Sequence, residues 1–458
     1  MKTDVVIIGG GPGGAAAAMF LVKEGIKPLI VEMETFPRFH IGESLTGDAG
    51  QVLRELGLEQ EMRRRKHPTK QGGKVFGPGG KNSFWVPVAG RDENWQLFTW
   101  DTWQVRRSDF DTMMLNEAIA RGATLIRGRA IRPIVGDDGS VRGVTVATAD
   151  GGTLEIRSEV LLDCSGQATW LANLGGITGP RYLGAYDRQI AFFSHVVGAV
   201  RDDGGTPDTH PDNTLIFYQQ KYHWSWFIPL DHEIVSVGVV VPAAYFLGKK
   251  ESKRDFLVRE LHELNPAMKQ RIPEVKLAHD VHVIPNYSYQ VKEFTGKGFI
   301  CIGDAHRFVD PIFSFGLGVT LREAQFAAPL VRQYLEGHNR DKTNPFEDYQ
   351  LFCEKGIDIL EDTLDMFWEH PFAFGACVHY RYTDSMTDLF AGRIYDHQPS
   401  TPVLSFRKIL SRLEERERSY VAGDIYSIPI GSRFHPERAP IWEINAAVET
   451  TEKWLGPR

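Results

Sequence analysis

The amino-terminal segment alternates apolar runs with a glycine-rich turn in the order strand, turn, helix, strand. Residues 5–8 are all β-branched and apolar, which predicts a strand buried on both faces, as in a parallel sheet. Small residues at 15–18 begin a helix that continues to Lys23, and residues 26–31 predict a second strand that ends in Glu32. This order predicts a β-α-β unit at the start of an α/β fold.

Alternation of apolar and polar residues predicts a second, β-rich region in the middle of the chain. It is most evident between residues 185 and 245, where Trp224, Trp226 and Ile228 fall on one face of a strand. A separate β meander is expected over residues 124–160. The chain therefore combines an α/β unit with additional sheet.

Helical periodicity and start signals predict helices around these strands. Ser108 is expected to cap a helix that ends near Arg121, and Asn344-Pro345 to begin a helix with proline at its first position. Further helices are expected near 49–56, at 252–265, and over a long stretch that ends at 335.

Composition narrows the classes of function. Of the 458 residues, 42% are hydrophobic and 24% charged, which is ordinary for a globular protein with substantial cores. The formal net charge of −7 argues against a nucleic-acid partner. The uncharged stretch 5–22 is interrupted by glycines and a proline, so neither a membrane span nor a signal peptide is expected there.

The cysteines and histidines indicate neither a disulfide framework nor a metal site. Cys164, Cys301, Cys353 and Cys377 are far apart, and no Cys-x-x-Cys occurs. No spacing among the 15 histidines resembles a metal-binding motif, so no metal ligand is predicted. Reduced thiols of this kind fit a cytoplasmic protein.

The turn after the first strand has the spacing of a dinucleotide-binding loop, Gly-x-Gly-x-x-Gly. Its residues are Gly9, Gly11, Pro12, Gly13 and Gly14. Such glycines allow a tight turn, close approach of the backbone to a pyrophosphate, and tight contact between helix and sheet, while the helix dipole favours the phosphates. Glu32, at the end of the second strand, is placed to accept a ribose hydroxyl.

Later segments resemble the cofactor-binding segments of FAD-dependent hydroxylases and halogenases. Residues 36–44 form a polar, glycine-rich loop of the kind that covers the flavin in those families, although an ordinary surface loop is the alternative. Residues 107–111 resemble an Arg-x-x-Phe-Asp segment, and two buried strands end in aspartates that resemble the family's Asp-Gly and Gly-Asp positions. By this resemblance the additional cofactor-binding residues are Arg38, Gly42, Glu43, Ser44, Arg107, Asp163, Gly303 and Asp304.

Three further motifs make residues 1–335 resemble a flavin-dependent halogenase. Residues 224–229 read Trp-Ser-Trp-Phe-Ile-Pro and fit the family's Trp-x-Trp-x-Ile-Pro. Residues 308–316 read Phe-Val-Asp-Pro-Ile-Phe-Ser-Phe-Gly and fit its Phe-x-x-Pro-x-x-Ser-x-Gly. Lys70, within residues 68–77, resembles the family's essential lysine.

The resemblance implies a reaction of reduced FAD (FADH2), O2 and a halide ion. A flavin C4a-hydroperoxide would oxidise the halide to hypohalous acid, and a lysine would deliver the halogen to an electron-rich carbon. The tryptophan pair would keep the organic substrate away from the peroxide. Desolvation would lower the pKa of the lysine, which suits either a haloamine or a hydrogen bond to the acid.

The roles implied by the resemblance fall into three sets. The catalytic residues are Lys70, Trp224, Trp226 and Ser314. The halide would be held by Ser314, Phe315, Gly316, Leu317 and Gly318, and the flavin would also contact Pro311, Gly316 and Leu317.

Lys74 is an alternative to Lys70 at this stage. Residues 67–77 predict a strand that enters a different sheet, and on one strand both lysines would share a face. The glycine and the Phe-Gly pair that follow Lys70 resemble the family spacing, so Lys70 is preferred.

One departure from the tryptophan-halogenase pattern bears on the substrate. That branch has a glutamate directly before the motif serine, whereas this chain has Phe313. The substrate is therefore expected to be an already activated aromatic, of the phenol or pyrrole type, either free or tethered to a carrier protein. Chloride, bromide and iodide all stay open, and a separate flavin reductase is expected to supply FADH2.

Two other functions are alternatives. An FAD-dependent aromatic hydroxylase or a reductase of the same fold would share the glycine motif and Gly303-Asp304, but it would need neither the tryptophan pair nor Lys70. A flavin-binding module without activity would not need the lysine either.

The predicted fold is α/β, with a Rossmann-like FAD-binding domain, an inserted β-sheet substrate domain and a helical C-terminal region. The expected boundaries are 1–68, 100–182 and 280–336 for the first, 69–99 and 183–279 for the second, and 337–458 for the third.

Overall fold

The computed structural model describes residues 1–395, apart from positions 185, 187 and 286 and the side chain at position 372. Residues 396–458, which belong to the predicted C-terminal region, lie outside the described residues. Within the described part of the chain, no helix is both long enough and apolar enough to cross a membrane.

The strands of the described chain are numbered in order. They are β1 (Val5–Ile8), β2 (Leu29–Glu32), β3 (Thr69–Lys70), β4 (Gly72–Phe76), β5 (Ser83–Pro87), β6 (Ala89–Arg91), β7 (Leu97–Thr99), β8 (Thr102–Trp103), β9 (Thr124–Val135), β10 (Val141–Thr148), β11 (Thr153–Arg157), β12 (Val160–Asp163), β13 (Arg181–Leu183), β14 (Gln189–Val197), β15 (Thr214–Gln220), β16 (His223–Pro229), β17 (Ile234–Pro242), β18 (Lys276–Leu277), β19 (His282–Pro285), β20 (Tyr289–Val291), β21 (Thr295–Gly296), β22 (Phe299–Cys301) and β23 (Arg307–Phe308).

The α-helices are numbered in the same way. They are α1 (Pro12–Lys23), α2 (Gly47–Glu55), α3 (Glu59–Arg64), α4 (Arg107–Ala120), α5 (Trp170–Leu174), α6 (Ala243–Lys249), α7 (Lys253–Glu263), α8 (Pro266–Arg271), α9 (Gly316–Leu335), α10 (Glu347–Glu369), α11 (Pro371–Ala376) and α12 (Thr383–Ala391). Short 3-10 turns include Gly303–Ala305 and Pro311–Phe313.

The first sheet confirms the predicted α/β class. Its strand order is β11-β10-β9-β2-β1-β12-β22-β21, and the strands from β9 to β22 run parallel. The apolar strand β1 is wholly buried at the centre, as its sequence predicts, and α1 packs against α4 and α9. Because carboxyl ends of parallel strands meet at one edge, the segments after β1, β2, β12 and β22 lie together there.

The second sheet has the order β18-β14-β17-β16-β15-β4-β5, with β19 beside β14. Trp224, Trp226 and Ile228 of β16 belong to one apolar cluster with α10, so the predicted common face is confirmed. Phe227 points the other way into a cluster with Leu257 of α7. The sheet is therefore covered on both faces, and its tryptophan face is turned towards α10.

Two predicted helix starts were wrong. α4 begins at Arg107 rather than after Ser108, because the extended backbone of Arg106 makes that residue the N-cap and leaves Ser108 inside the first turn. α10 begins at Glu347, because the side-chain oxygen of Asn344 accepts a hydrogen bond from the Phe346 amide (3.0 Å) and forms a turn before the helix.

The predicted continuous strand over residues 67–77 was also wrong. The chain forms β3, which pairs with β8, and then β4, which pairs with β5 and β15 in the second sheet. The division into three domains stays a prediction.

Candidate active site

A cavity of about 680 Å³ lies at the edge of the first sheet and reaches the tryptophan face of the second. One end is lined by Glu32 of β2 and Arg129 of β9, and the other by Trp226 of β16 and Leu364 of α10. Its volume is within the range of roughly 300–1,000 Å³ typical of small-molecule sites. The elongated lining suits an extended ligand rather than a compact one.

The glycine turn forms the wall of this cavity between β1 and α1. Gly9, Gly11, Pro12 and Gly13 line the cavity, whereas Gly14 packs behind them. Gly9 has a φ of +99°, and a Cβ atom on Gly14 would lie 1.9 Å from the carbonyl oxygen of Gly9. The first-turn amides of α1 have no intrahelical acceptors, so they are available to an anion.

The carboxylate of Glu32 is fixed against the glycine turn. Its two oxygens accept hydrogen bonds from the backbone amides of Gly10 and Glu34, each at 2.6 Å. The side chain is buried and lines the cavity, and its role as a ribose-binding acid stays a prediction.

Two arginines anchor the loop of residues 36–44 to α4. Arg107 forms a two-pronged ion pair with Asp111, at 2.6 and 3.0 Å, and donates to the carbonyl oxygen of Gly42 at 3.2 Å. Arg38 lies 3.3 Å from the same carboxylate. Both guanidinium groups line the cavity, so the loop forms a charged wall beside the glycine turn.

Glu43 ties the same loop to the second sheet. Its Oε1 lies 2.9 Å from Nε2 of His195 on β14, and both side chains are buried. Glu43 also lines the cavity, whereas His195 does not. The pair fixes the loop between the two sheets.

Several predicted cofactor-binding residues lie behind the cavity wall. The carboxylate of Asp163 accepts hydrogen bonds from the amides of Ser165 (3.0 Å) and Leu171 (2.8 Å) and has no exposed surface. A Cβ atom on Gly303 would lie 2.2 Å from Thr320. These residues shape the turns that face the cavity, and they do not line it themselves.

Asp304, in contrast, lines the cavity at the end of β22. Burial raises the pKa of its carboxyl group to about 6, an effect that the positive charge of Arg107 partly offsets. The carboxyl group therefore faces the cavity close to the arginine wall.

The two tryptophans form the apolar end of the cavity. The ring centroids of Trp224 and Trp226 are 5.7 Å apart, and both side chains are buried. The indole nitrogen of Trp226 donates to the hydroxyl of Ser236 at 3.1 Å, which fixes the ring. Leu360 of α10 lines the same end.

The predicted halide residues lie where the 3-10 turn meets α9. Ser314, Phe315, Gly316 and Leu317 line the cavity, and Ser314 has a φ of +62° that lets the chain turn into the helix. Pro311 lines the cavity as well. Gly318 does not, because it packs on α2, where a Cβ atom would lie 2.7 Å from Thr46 Oγ1.

Lys70 is buried beside this turn. Its Nζ donates to Ser44 Oγ and to the carbonyl oxygen of Leu45, each at 3.0 Å. No carboxylate in the described chain forms an ion pair with it, and burial lowers the pKa of its amine to about 7. The amine lies in a small pocket of about 40 Å³, which shares Ser314 and Thr214 with the large cavity.

Lys74 has a different environment. It belongs to β4, its Nζ pairs with the carboxylate of Asp208 at 2.7 Å, and it lines neither of the two cavities described above. The break between β3 and β4 therefore separates two lysines that a continuous strand would have placed together.

Sequence reasoning missed four polar residues of the site. Thr214 and Gln104 connect to Lys70 through Ser44, and Tyr287 donates a hydrogen bond to Asp310 at 3.3 Å. Burial raises the pKa of the Asp310 carboxyl group, which lines the cavity, to about 7. Asp310 stands inside the Phe-x-x-Pro motif, which could have indicated it. The other three carry no local signal, because their contacts come from distant parts of the chain.

Among the residues that the structure describes, no group of three His, Cys, Asp or Glu side chains could hold a metal ion. The polar groups around the cavity are backbone amides and arginines, which donate hydrogen bonds to an anion, and single carboxylates, which accept them from hydroxyl groups.

Comparison with known proteins identifies related chains. Residues 2–343 match the family model described as an FAD binding domain. A brominase of pyrrole-2-carbonyl groups on a peptidyl-carrier protein, from Pseudoalteromonas luteoviolacea, is 35% identical over 421 residues, which is 92% of this chain and 98% of the relative. A chlorinase of the same carrier-bound group, from Pseudomonas fluorescens, is 29% identical, with 90% and 94% covered.

A solved structure shows the same architecture. The flavin-dependent brominase Bmp2 superposes with a TM-score of 0.82 at 34% identity, with 91% of this chain and all of that chain covered (100%).

Proposed function

The chain belongs to the flavin-dependent halogenases, and we propose that it halogenates a pyrrole carbonyl group carried on a carrier protein. The enzyme uses FAD and a halide, and the relatives favour halogenation over the aromatic hydroxylase alternative. The observation that carries the proposal is Lys70. It is a buried amine without a carboxylate partner in the described chain, in a pocket that shares Ser314 with the large cavity.

The residues around the large cavity fit FAD. The glycine turn offers free helix amides for the pyrophosphate, Glu32 offers an acceptor for a ribose hydroxyl, and Arg38, Arg107 and Asp304 offer charged and polar contacts further along. Reduced flavin with O2 supplies the oxidising power that converts halide into hypohalous acid. We assign halide binding to the backbone amides in the first turn of α9.

The tryptophan pair and the lysine have separate tasks in this proposal. Trp224 and Trp226 form an apolar wall that keeps the substrate ring away from the cofactor. Lys70 receives the oxidised halogen and passes it to the ring. Its amine is present in the neutral form near pH 7, because burial without a counter-charge lowers its pKa and disfavours the ammonium form.

The surroundings of Lys70 favour an electron-rich substrate. Phe313 lines the small pocket, and its ring centroid is 4.7 Å from that of Phe390 in α12. Neither ring supplies a charge that would stabilise a cation developing on the substrate, so the substrate ring must do so itself. A pyrrole meets this requirement, and both relatives act on a pyrrole carbonyl group attached to a carrier protein.

We also propose that a separate flavin reductase supplies the reduced cofactor, because the sequence combines a single dinucleotide-binding turn with the halogenase motifs. The four free cysteines support a cytoplasmic location for this protein.

The proposal is tested with purified enzyme, FAD, NADPH, O2 and equal chloride and bromide, with and without a flavin reductase. Pyrrole-2-carbonyl carrier protein, free pyrrole-2-carboxylate and free tryptophan are compared by mass spectrometry. We expect halogenated carrier-bound pyrrole only with the reductase, and little product from tryptophan. Efficient tryptophan halogenation would contradict the substrate, and rapid substrate-stimulated NADPH oxidation without the reductase would favour a hydroxylase.

A further inference from the structure

Lys70 ends a chain of hydrogen bonds that begins at Gln104. We propose that Ser44, seated by Thr214 and Gln104, positions the amine of Lys70 with its lone pair directed into the small pocket. Ser44 is thereby a positioning residue for halogen transfer and not only part of the loop beside the flavin. The inference rests on the proposed role of Lys70.

Gln104 begins the chain as a donor. Its Nε2 donates to the carbonyl oxygen of Asp212 at 3.0 Å and to Thr214 Oγ1 at 2.8 Å. A backbone carbonyl only accepts hydrogen bonds, so the amide nitrogen must face Asp212, and the orientation of the amide follows. Thr214 Oγ1 therefore accepts a hydrogen bond from Gln104.

Thr214 in turn holds the hydroxyl of Ser44. The two oxygens are 2.7 Å apart, and both side chains are buried. The backbone supports this contact, because Ser44 and Gln104 are partners in an isolated β-bridge. Ser44 Oγ is consequently fixed at 3.0 Å from the amine of Lys70.

The partners of Lys70 match a neutral amine. A primary amine has two N–H donors and one lone pair, and the structure provides two acceptors, Ser44 Oγ and the carbonyl oxygen of Leu45. When both donors are used, the tetrahedral nitrogen points its lone pair away from these acceptors. An ammonium group would have a third donor without an acceptor in the described chain, at a buried position.

Lys70 lines the small pocket, so we infer that the remaining direction of its amine is towards that pocket. Its walls include Ser314, Phe313 and Phe390, and its volume of about 40 Å³ is that of a very small molecule. The lone pair can attack the halogen of a hypohalous acid there. The N–halogen bond forms as the O–halogen bond breaks, and the departing hydroxide takes a proton from nitrogen to give water.

The first test measures halogenation. Ser44→Ala and Thr214→Val are expected to lower the halogenation rate by about 10- to 100-fold, because small misplacements of a reacting group cost that much. Thr214→Ser, which keeps the hydroxyl, should restore most of the rate. Thr145→Val, a buried threonine on β10 outside both cavities, is the matched control for the loss of a hydroxyl. FAD affinity and melting temperature are measured for every variant.

The second test probes the amine directly. Cyanate is a small linear reagent that carbamoylates neutral amines, and peptide mass spectrometry of the FAD-loaded chain gives the rate at each lysine. At pH 7 we expect Lys70 to react faster than Lys74, whose amine pairs with the carboxylate of Asp208. Ser44→Ala and Thr214→Val should change the carbamoylation rate of Lys70 severalfold. The carbamoylation rate of Lys74 should stay unchanged in both variants.

The outcomes separate this inference from the proposed function. Unchanged halogenation and carbamoylation in both Ser44→Ala and Thr214→Val, with Lys70→Ala inactive, would overturn the inference alone. Full halogenation by Lys70→Ala would overturn the role of the lysine and the inference with it. A loss in Thr214→Val that Thr214→Ser does not rescue would also count against the hydroxyl chain.

Discussion

The glycine turn lines the large cavity and Lys70 lines the small pocket beside it, and these two regions are assembled in different ways. The turn consists of consecutive residues 9–14, and its chemistry is that of backbone amides at the start of α1. The pocket combines the side chains of Ser44, Lys70, Thr214 and Ser314, which come from four separate parts of the chain. The glycine turn is defined by the backbone shape of consecutive residues. The small pocket is defined by burial and by contacts between residues that lie far apart in the sequence.

This difference teaches that the two regions respond to different changes. Adding atoms disrupts the turn, because a side chain on Gly14 has no room. Removing a polar atom disrupts the pocket, because its function depends on one amine and the groups that hold it. We therefore expect cofactor binding and halogen transfer to be separable by mutation.

Removal of the lysine should have the largest effect. Lys70→Ala is expected to lower halogenation by at least about 1,000-fold, the scale of a lost proton-transfer or nucleophilic group, while FAD binding and oxidation of reduced flavin stay near wild type. Lys70→Arg should fail as well, since a guanidinium stays protonated. Product mass spectrometry and stopped-flow absorbance measure the two steps.

Lys74→Ala is the matched control, because it removes a neighbouring lysine that is paired with Asp208 outside the pocket. It should keep most of the halogenating activity. Loss of activity in Lys74→Ala alone would move the assignment to that lysine, and loss of bound FAD in Lys70→Ala would remove the distinction between the two regions.

Adding a side chain, rather than removing one, should impair the glycine turn. Gly14→Ala places a Cβ atom 1.9 Å from the carbonyl oxygen of Gly9, and relief of such overpacking costs about 1–3 kcal/mol. We expect FAD affinity, measured by fluorescence titration, to fall by about 10- to 100-fold. Gly25→Ala is the control, because Gly25 has a positive φ but no atom lies close to the added Cβ atom. This variant should affect stability without affecting FAD affinity. Wild-type FAD affinity in Gly14→Ala would show that the turn tolerates a side chain.

The pH dependence of halogenation should sharpen the comparison further. With a pKa of about 7, Lys70 changes from mostly ammonium to mostly neutral amine between pH 6 and pH 8. The transfer step should therefore rise by about tenfold over this interval, with flavin oxidation measured separately at each pH. A transfer rate that falls with pH would indicate that the ammonium form acts, as a hydrogen-bond donor to hypohalous acid.

The smallest expected effect is on stability. The amine has a pKa of 10.5 in the unfolded chain and about 7 in the fold, so the unfolded state binds more protons between these values. The free energy of unfolding therefore rises with pH between about 7 and 10.5. Below pH 7 the amine is charged in both states, so the folded protein bears the whole free-energy cost of burying that charge. Lys70→Met should raise the melting temperature by at least about 2 °C at pH 6.5 and by less at pH 10. Equal changes at both pH values would contradict a buried amine with a lowered pKa.

The sequence by itself determined the glycine turn, its flanking strand and helix, and the face shared by Trp224, Trp226 and Ile228. These features depend on neighbouring residues, because backbone geometry and side-chain periodicity are local properties. The motifs also indicated the halogenase family, which the comparisons show.

Only the tertiary structure decided which lysine is buried and what holds it. Lys70 and Lys74 share a face if one strand is assumed, but Lys70 pairs with β8 and Lys74 lies in the second sheet. The partners of Lys70, Ser44 and Leu45, lie 26 and 25 positions away in the sequence. The groups that hold Ser44 are further apart, since Ser44 and Thr214 are separated by 170 positions and Gln104 and Thr214 by 110. Burial and hydrogen bonding over such distances arise when the sheets pack together, so no local pattern records them.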